Sequence, residues 1–197
     1  MTTENIKQGT RQDFAYVESM GSAVRVGYGL TPVDGQEGQY KWREVTLYKK
    51  QYPIVTLQTV KDAIIADIDA RTVERITSGY EWTVLHGDDA GKTVKVWLSK
   101  ENQTNFKAKY DRAIAKPYSV TWPMTYKISE NDETKAAVYE HFADSDELEQ
   151  FVLGGQDYIE AQYSAGWIEK DGIDWAPYEA LFPATEDNGQ QQEPAEE

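Results

Sequence analysis

Large apolar side chains recur at helical spacing in three stretches of this chain and at every second position in several others. Leu57, Val60, Ile64, Ile65, Ile68 and Ile76 make one helical stripe, with Asp62, Asp67, Asp69, Arg71 and Glu74 mostly off it. Thr56 or Thr59 caps the start of this helix and Gly79 stops it. Tyr80, Trp82 and Val84 then alternate with Glu81 and Thr83, and Val94, Val96 and Leu98 alternate with Lys95 and Trp97. The turn residues Gly87 to Gly91 lie between them, which predicts a β-hairpin. Ser99 is a natural N-cap for a second helix carrying Phe106, Tyr110 and Ile114, and Pro117 ends it.

Val120 to Ile128 reads as a strand in which Pro123 removes a ladder donor, so the strand belongs at an edge or carries a bulge. The turn residues Ser129 to Thr134 lead into a partner strand over Ala137 to Phe142. Asp144-Ser145-Asp146-Glu147 is a capping box that opens a third helix, with Leu148, Phe151, Val152, Tyr158, Ile159 and Tyr163 as its buried stripe. Gly154 and Gly155 inside it mark close packing or a kink, and Gly166 marks its stop. Toward the N-terminus, Ala23 to Tyr28 and Tyr40 to Tyr48 read as strands around the turn residues Pro32 to Gly38. Two strands alone are marginal in water, so this segment needs cover from the rest of the chain or from another chain.

The order of elements defines an α+β fold, a small antiparallel sheet of hairpins packed against three helices. The expected organisation is an N-terminal β-rich attachment arm (1–52), an α+β core domain (53–183) and a disordered acidic tail (184–197), the last being almost free of apolar side chains.

Composition narrows the function classes. Aromatic residues make up 12% of the chain, which supports a folded core. The absence of cysteine excludes disulfides, thiolate nucleophiles and Cys-ligated zinc. The net charge of -14 comes from the C-terminal part: residues 117–197 carry 3 basic and 19 acidic groups, against 7 and 6 in 1–50 and 10 and 9 in 51–116. Such a surface repels phosphate backbones, so nucleic acid is not an expected partner. No run is long and apolar enough for a membrane span or a Sec-type leader, so the expectation is a protein that is not Sec-exported and does not contact a membrane.

No motif carries catalytic chemistry. Gly87-Asp88-Asp89-Ala90-Gly91-Lys92-Thr93 is one residue short of a phosphate loop and joins two strands, where that motif needs a strand and then a helix. The Asp144 run lacks the glycine and the bidentate glutamate of a calcium loop. His86 and His141 stand at strand ends without a second ligand at helical spacing. No pair of the 34 acidic residues is singled out by spacing for glycoside hydrolysis. The reading is therefore non-enzymatic, with no cofactor and no metal.

What remains are interaction candidates. Strand alternation puts Trp82 and Trp122 inside and leaves Trp97 and Trp42 as the most exposed indoles. Asn102, Gln103 and Asn105 occupy the first turns of the second helix, where amides either satisfy free backbone groups of the preceding hairpin, the expected role of Asn102, or face a partner.

The run Ile76-x-Ser78-Gly79-Tyr80-x-Trp82, the run Leu98-Ser99-x-Glu101-Asn102-Gln103-x-Asn105-Phe106, a second hairpin from Tyr126 to Tyr139 and a final amphipathic helix together resemble a domain of unknown function. That domain is met in bacteriophage and prophage tail-region proteins, near tail-fibre and tail-fibre-assembly genes. The resemblance covers Thr56 to Trp175, and Tyr40 to Val45 is similar to material that precedes such domains. It implies a structural or assembly role in the virion or in the host cytoplasm during assembly, with other phage structural proteins or further copies of the chain as partners. The alternative is a small carbohydrate-binding module for host-surface recognition, built on exposed Trp and Tyr.

Overall fold

The computed structural model describes residues 6–131 and 134–183; the expected acidic tail, and Asp132 and Glu133 of the predicted turn, lie outside the described residues. The fold is α+β with antiparallel pairing throughout. The chain forms two compact units, one running up to Ala66 and resuming at Gly172, the other running from Asp67 to Asp171. The division falls within the first long helix and not at 52/53, because the stretch after Asp171 packs with the N-terminal strands.

In the first unit, β1 (Ile6–Thr10), β2 (Val17–Met20), β3 (Ala23–Pro32) and β4 (Gln39–Tyr48) form one four-stranded sheet in the order β1-β4-β3-β2. This corrects the two-strand arm. Val24, Val26, Tyr28 and Leu47 are buried, as are Phe14, Val60, Ile64 and Tyr178, so the unit has a core of its own. Tyr178 comes from a short helix, α4 (Ala176–Leu181), and its hydroxyl donates to the Gly27 carbonyl at 2.6 Å. The rings continue edge-on from Tyr178 to Tyr16 and from Tyr16 to Phe14. Gly27 is required here, since a Cβ would stand 2.5 Å from the Ala15 carbonyl oxygen. Glu179 of α4 reaches Lys61 at 2.9 Å, and the same ammonium lies 5.3 Å from the Trp175 ring centroid.

In the second unit, α1 (Leu57–Ser78) ends at Gly79, whose φ of +92° is the left-handed conformation that stops a helix at low cost. At the head of α1, in the first unit, Thr56 and Thr59 cap each other's backbone N–H groups. β5 (Tyr80–Thr83) and β6 (Thr93–Val96) form the first predicted hairpin, α2 (Lys100–Ala115) follows, and β7 (Met124–Glu130) with β8 (Ala137–Phe142) forms the second. α3 (Ser145–Asp171) closes the unit. Ile76, Tyr80, Val84, Val96, Leu98, Phe106, Tyr126, Ile128, Phe142 and Phe151 share one core cluster.

Several expectations change in detail. α3 runs through Gly166 to Asp171; the glycine is there because α1 comes so close that a Cβ would sit 2.6 Å from the Thr72 hydroxyl. Arg71 to Glu169 and Lys170 to Asp69 join the same two helices by ion pairs. Gly154 and Gly155 meet the Tyr80 ring, as close packing requires. Pro123 precedes β7, and the irregularity of that strand is a register shift between Lys127 and Ser129. On α2 the buried positions are Phe106 and Ala113 while Ile114 is exposed; Tyr163 and Ile65 are likewise outside.

Candidate functional site

The β5–β6 hairpin and the β7–β8 hairpin are separate ladders. What links them is Glu140. Its side chain shares the inward parity of Val138 and Phe142 on β8 and is fully buried. The carboxylate accepts Trp82 Nε1–H at 2.7 Å and the backbone N–H groups of Leu85 at 2.8 Å, His86 at 3.1 Å and His141 at 3.0 Å. A buried carboxylate is costly unless its lone pairs are filled, and four N–H donors fill them. The same carboxylate adds to the effect of burial in pushing the Tyr80 hydroxyl above the ordinary tyrosine range.

Beside this node the His86 ring meets both oxygens of Glu147, at 2.9 and 3.0 Å, and Glu147 in turn accepts the Ala143 N–H at 2.7 Å. The hydrogen bond to Glu147 raises the His86 pKa from the ordinary histidine value, against a smaller opposing effect of burial and with Glu140 and Asp144 adding smaller effects in the same direction as the bond. His141 bonds the Thr125 hydroxyl at 2.8 Å. Both histidine rings thus bond to groups within the second unit. Among the described residues there is no group of three or more His, Asp or Glu side chains placed to hold a metal, and no helix long and apolar enough to cross a membrane.

On the other side of β6 lies an open groove of about 510 Å³, lined by Glu81, Thr93, Val94, Lys95 and Trp97 of the first hairpin and by Ser129, Glu130, Asn131 and Val138 of the second. Trp97 is 39% exposed and is the one aromatic residue in the lining. Lys127 places its ammonium 5.8 Å from the Trp97 ring centroid while pairing with Glu130 at 2.6 Å. At the hairpin tip Lys92 pairs with Asp89 at 2.7 Å.

The interaction candidates separate on this geometry. Trp97 lies in the groove. Trp42 is 5% exposed, contrary to expectation, because the Phe14 ring packs edge-on against it and β1, which the sequence pattern did not reveal, pairs with β4 at Lys7. Trp82 and Trp122 are partly buried against the core, and the most exposed indole is neither Trp97 nor Trp42 but Trp167, 61% exposed on α3 and stacked on Tyr163. Asn102 and Gln103 reach back from α2 to the hairpin: Asn102 Nδ2 donates to the Trp97 carbonyl at 2.9 Å and Gln103 Nε2 to the Leu98 carbonyl at 2.7 Å. The Ser99 hydroxyl accepts the Asn102 N–H as the N-cap. Asn102 therefore makes the tie to the hairpin expected of it, and Asn105 is exposed on the helix surface.

Sequence reasoning missed Glu140 and Lys95. The parity of Glu140 with Val138 and Phe142 was a readable signal, whereas nothing local marks Lys95 as bordering a groove. Comparison of the chain with protein-family models, with curated proteins and with solved structures found no match.

Proposed function

We propose that this chain is a non-enzymatic structural or assembly protein of a bacteriophage or prophage, acting through protein–protein contacts in the virion or tail region. The observation that carries the contact part of this reading is the groove between β6 and β7. It is bordered by strands of two unjoined ladders, it is polar around one exposed indole, and the charges at its rim are largely paired with each other. Open strand edges offer main-chain donors and acceptors to another chain, a mode of recognition that needs no catalytic group. The phage setting follows from the resemblance of the Ile76 to Trp82 and Leu98 to Phe106 runs. Mass spectrometry of purified particles tests the proposal: a fixed stoichiometric copy number is expected for a virion component, and absence from both particles and assembly intermediates defeats the reading.

Trp97 supports a second reading, the carbohydrate-binding module. A sugar platform gains from two or three rings exposed together, and this groove holds one, which favours protein contact. Titration with host-surface polysaccharides, followed by tryptophan fluorescence, separates the two; a saturable shift lost in Trp97→Ala makes the sugar reading the better one.

A further inference from the structure

Three consecutive residues of β6, Thr93, Val94 and Lys95, line the groove, and so do Ser129, Glu130 and Asn131 at the end of β7. Successive side chains of a strand point to opposite faces, so a cavity bordered by unbroken runs of two strands lies along their edges. The hydrogen-bond alternation fixes which groups of β6 face it. The Val84 N–H donates to the Lys92 carbonyl at 2.9 Å, and the register continues with Thr83 opposite Thr93, Trp82 opposite Val94 and Glu81 opposite Lys95. Bonded and non-bonded pairs alternate in an antiparallel ladder. The N–H and C=O groups of Thr93 and Lys95 therefore point away from β5, and no backbone partner meets them among the described residues. Across the groove, the residues of β7 that border it lie beyond its register shift, where the strand bends.

We propose that the groove takes an extended segment of a partner protein as an added strand on the free edge of β6, and that it selects a basic segment with apolar residues at alternate positions. This rests on the reading of the chain as a protein that works through protein contacts. A strand spacing of about 4.8 Å, a rise of about 3.3 Å and a layer about 10 Å thick give each added residue roughly 160 Å³. A groove of about 510 Å³ thus holds roughly three residues. An added strand would alternate between the two faces, meeting Val94 and Val138 on one and Thr93, Lys95 and Trp97 on the other. The three carboxylates of the lining, Glu81, Asp89 and Glu130, stand among three ammonium groups, Lys92, Lys95 and the Lys127 that pairs with Glu130, so the groove itself is close to neutral. The bias toward a basic segment comes from the chain as a whole, which carries -14 and repels an acidic segment at long range.

The test is selection from a random peptide library on the full chain, followed by titration of the selected peptide. Selected sequences should alternate apolar residues with Lys or Arg, and binding should slow amide exchange at Thr93 and Lys95. Thr93→Pro removes one edge donor at a position where an edge strand tolerates proline, and should weaken binding about tenfold or more. Because proline also stiffens the hairpin, a second arm leaves the protein unchanged: the selected peptide, N-methylated at the amides that face β6, should bind at least about tenfold more weakly. Acidic selected sequences, indifference to N-methylation, absence of any selected binder, or unchanged exchange at Thr93 and Lys95 would each overturn the proposal. None of those outcomes alters the copy number in purified particles, so the groove and the virion reading fail separately.

Discussion

The two compact units use the same number of strands in opposite ways. In the first, four strands join in one sheet, where the Tyr178 hydroxyl is buried on the Gly27 carbonyl and the Arg43 Nη1 atom is buried as well. In the second, four strands stay as two ladders of two, and the group buried between them is a carboxylate. A single sheet spreads its cohesion over many ladder bonds, whereas two short ladders are each marginal and depend on what holds them together. In the second unit that dependence falls on the α-helical packing and on one side chain, Glu140. Leaving the ladders unjoined has a structural counterpart on the far side of β6, an edge open to another chain.

Glu140→Ala is the most direct way to break this comparison. It strands four N–H donors in or near the core, at a cost of about 3–5 kcal/mol in denaturant unfolding. Tyr178→Phe in the first unit removes one neutral hydrogen bond without a cavity and should cost about 1 kcal/mol. Equal effects from the two substitutions would show that the buried carboxylate is no more critical than an ordinary core hydroxyl.

Between these falls the double change Asn102→Ala with Gln103→Ala. It deletes both amide bonds from α2 to the carbonyls of Trp97 and Leu98, and about 1–2 kcal/mol of stability should go with them. If thermal stability is unchanged and assembly is lost instead, the amides serve an interface and their structural assignment fails.

What could be read from the sequence follows the range of the interaction. The helix caps at Thr56, Ser99 and Asp144 and the stop at Gly79 are decided within a few residues, and they stand where the pattern puts them. β1 has a single large apolar residue, Ile6, and lies at a sheet edge with mostly exposed side chains, so it leaves no periodic trace. α4 is six residues long and owes its place to Tyr178, whose partner Gly27 is 151 positions away. The burial of Trp42 follows from Phe14 and β1, and was lost along with them. The groove was the least legible feature of all. Periodicity says that β6 and β7 are strands, but not that they fail to pair with each other.

The smallest expected effect sharpens the comparison within the second unit, because it separates the charge on His86 from the buried Glu140 node beside it. The groups facing the ring are Glu147, Asp144 and Glu140, all carboxylates, and the bond to Glu147 raises the His86 pKa in the folded chain. A raised folded pKa means that the stabilisation is fully present below the unfolded value of about 6.5 and is lost as pH rises through the folded value. Stability relative to Glu147→Gln should therefore decline from about pH 6.5 upward, and only slightly, since the pair is open to solvent and screened by salt. In a proton NMR titration the His86 ring should titrate above the ordinary histidine value in the natural chain and move back toward it in Glu147→Gln. The Trp82 indole N–H resonance, reporting on Glu140, should stay in place through the same titration; if it moves with His86, the exposed pair and the buried carboxylate form one coupled site, and the node cannot be treated as independent of pH.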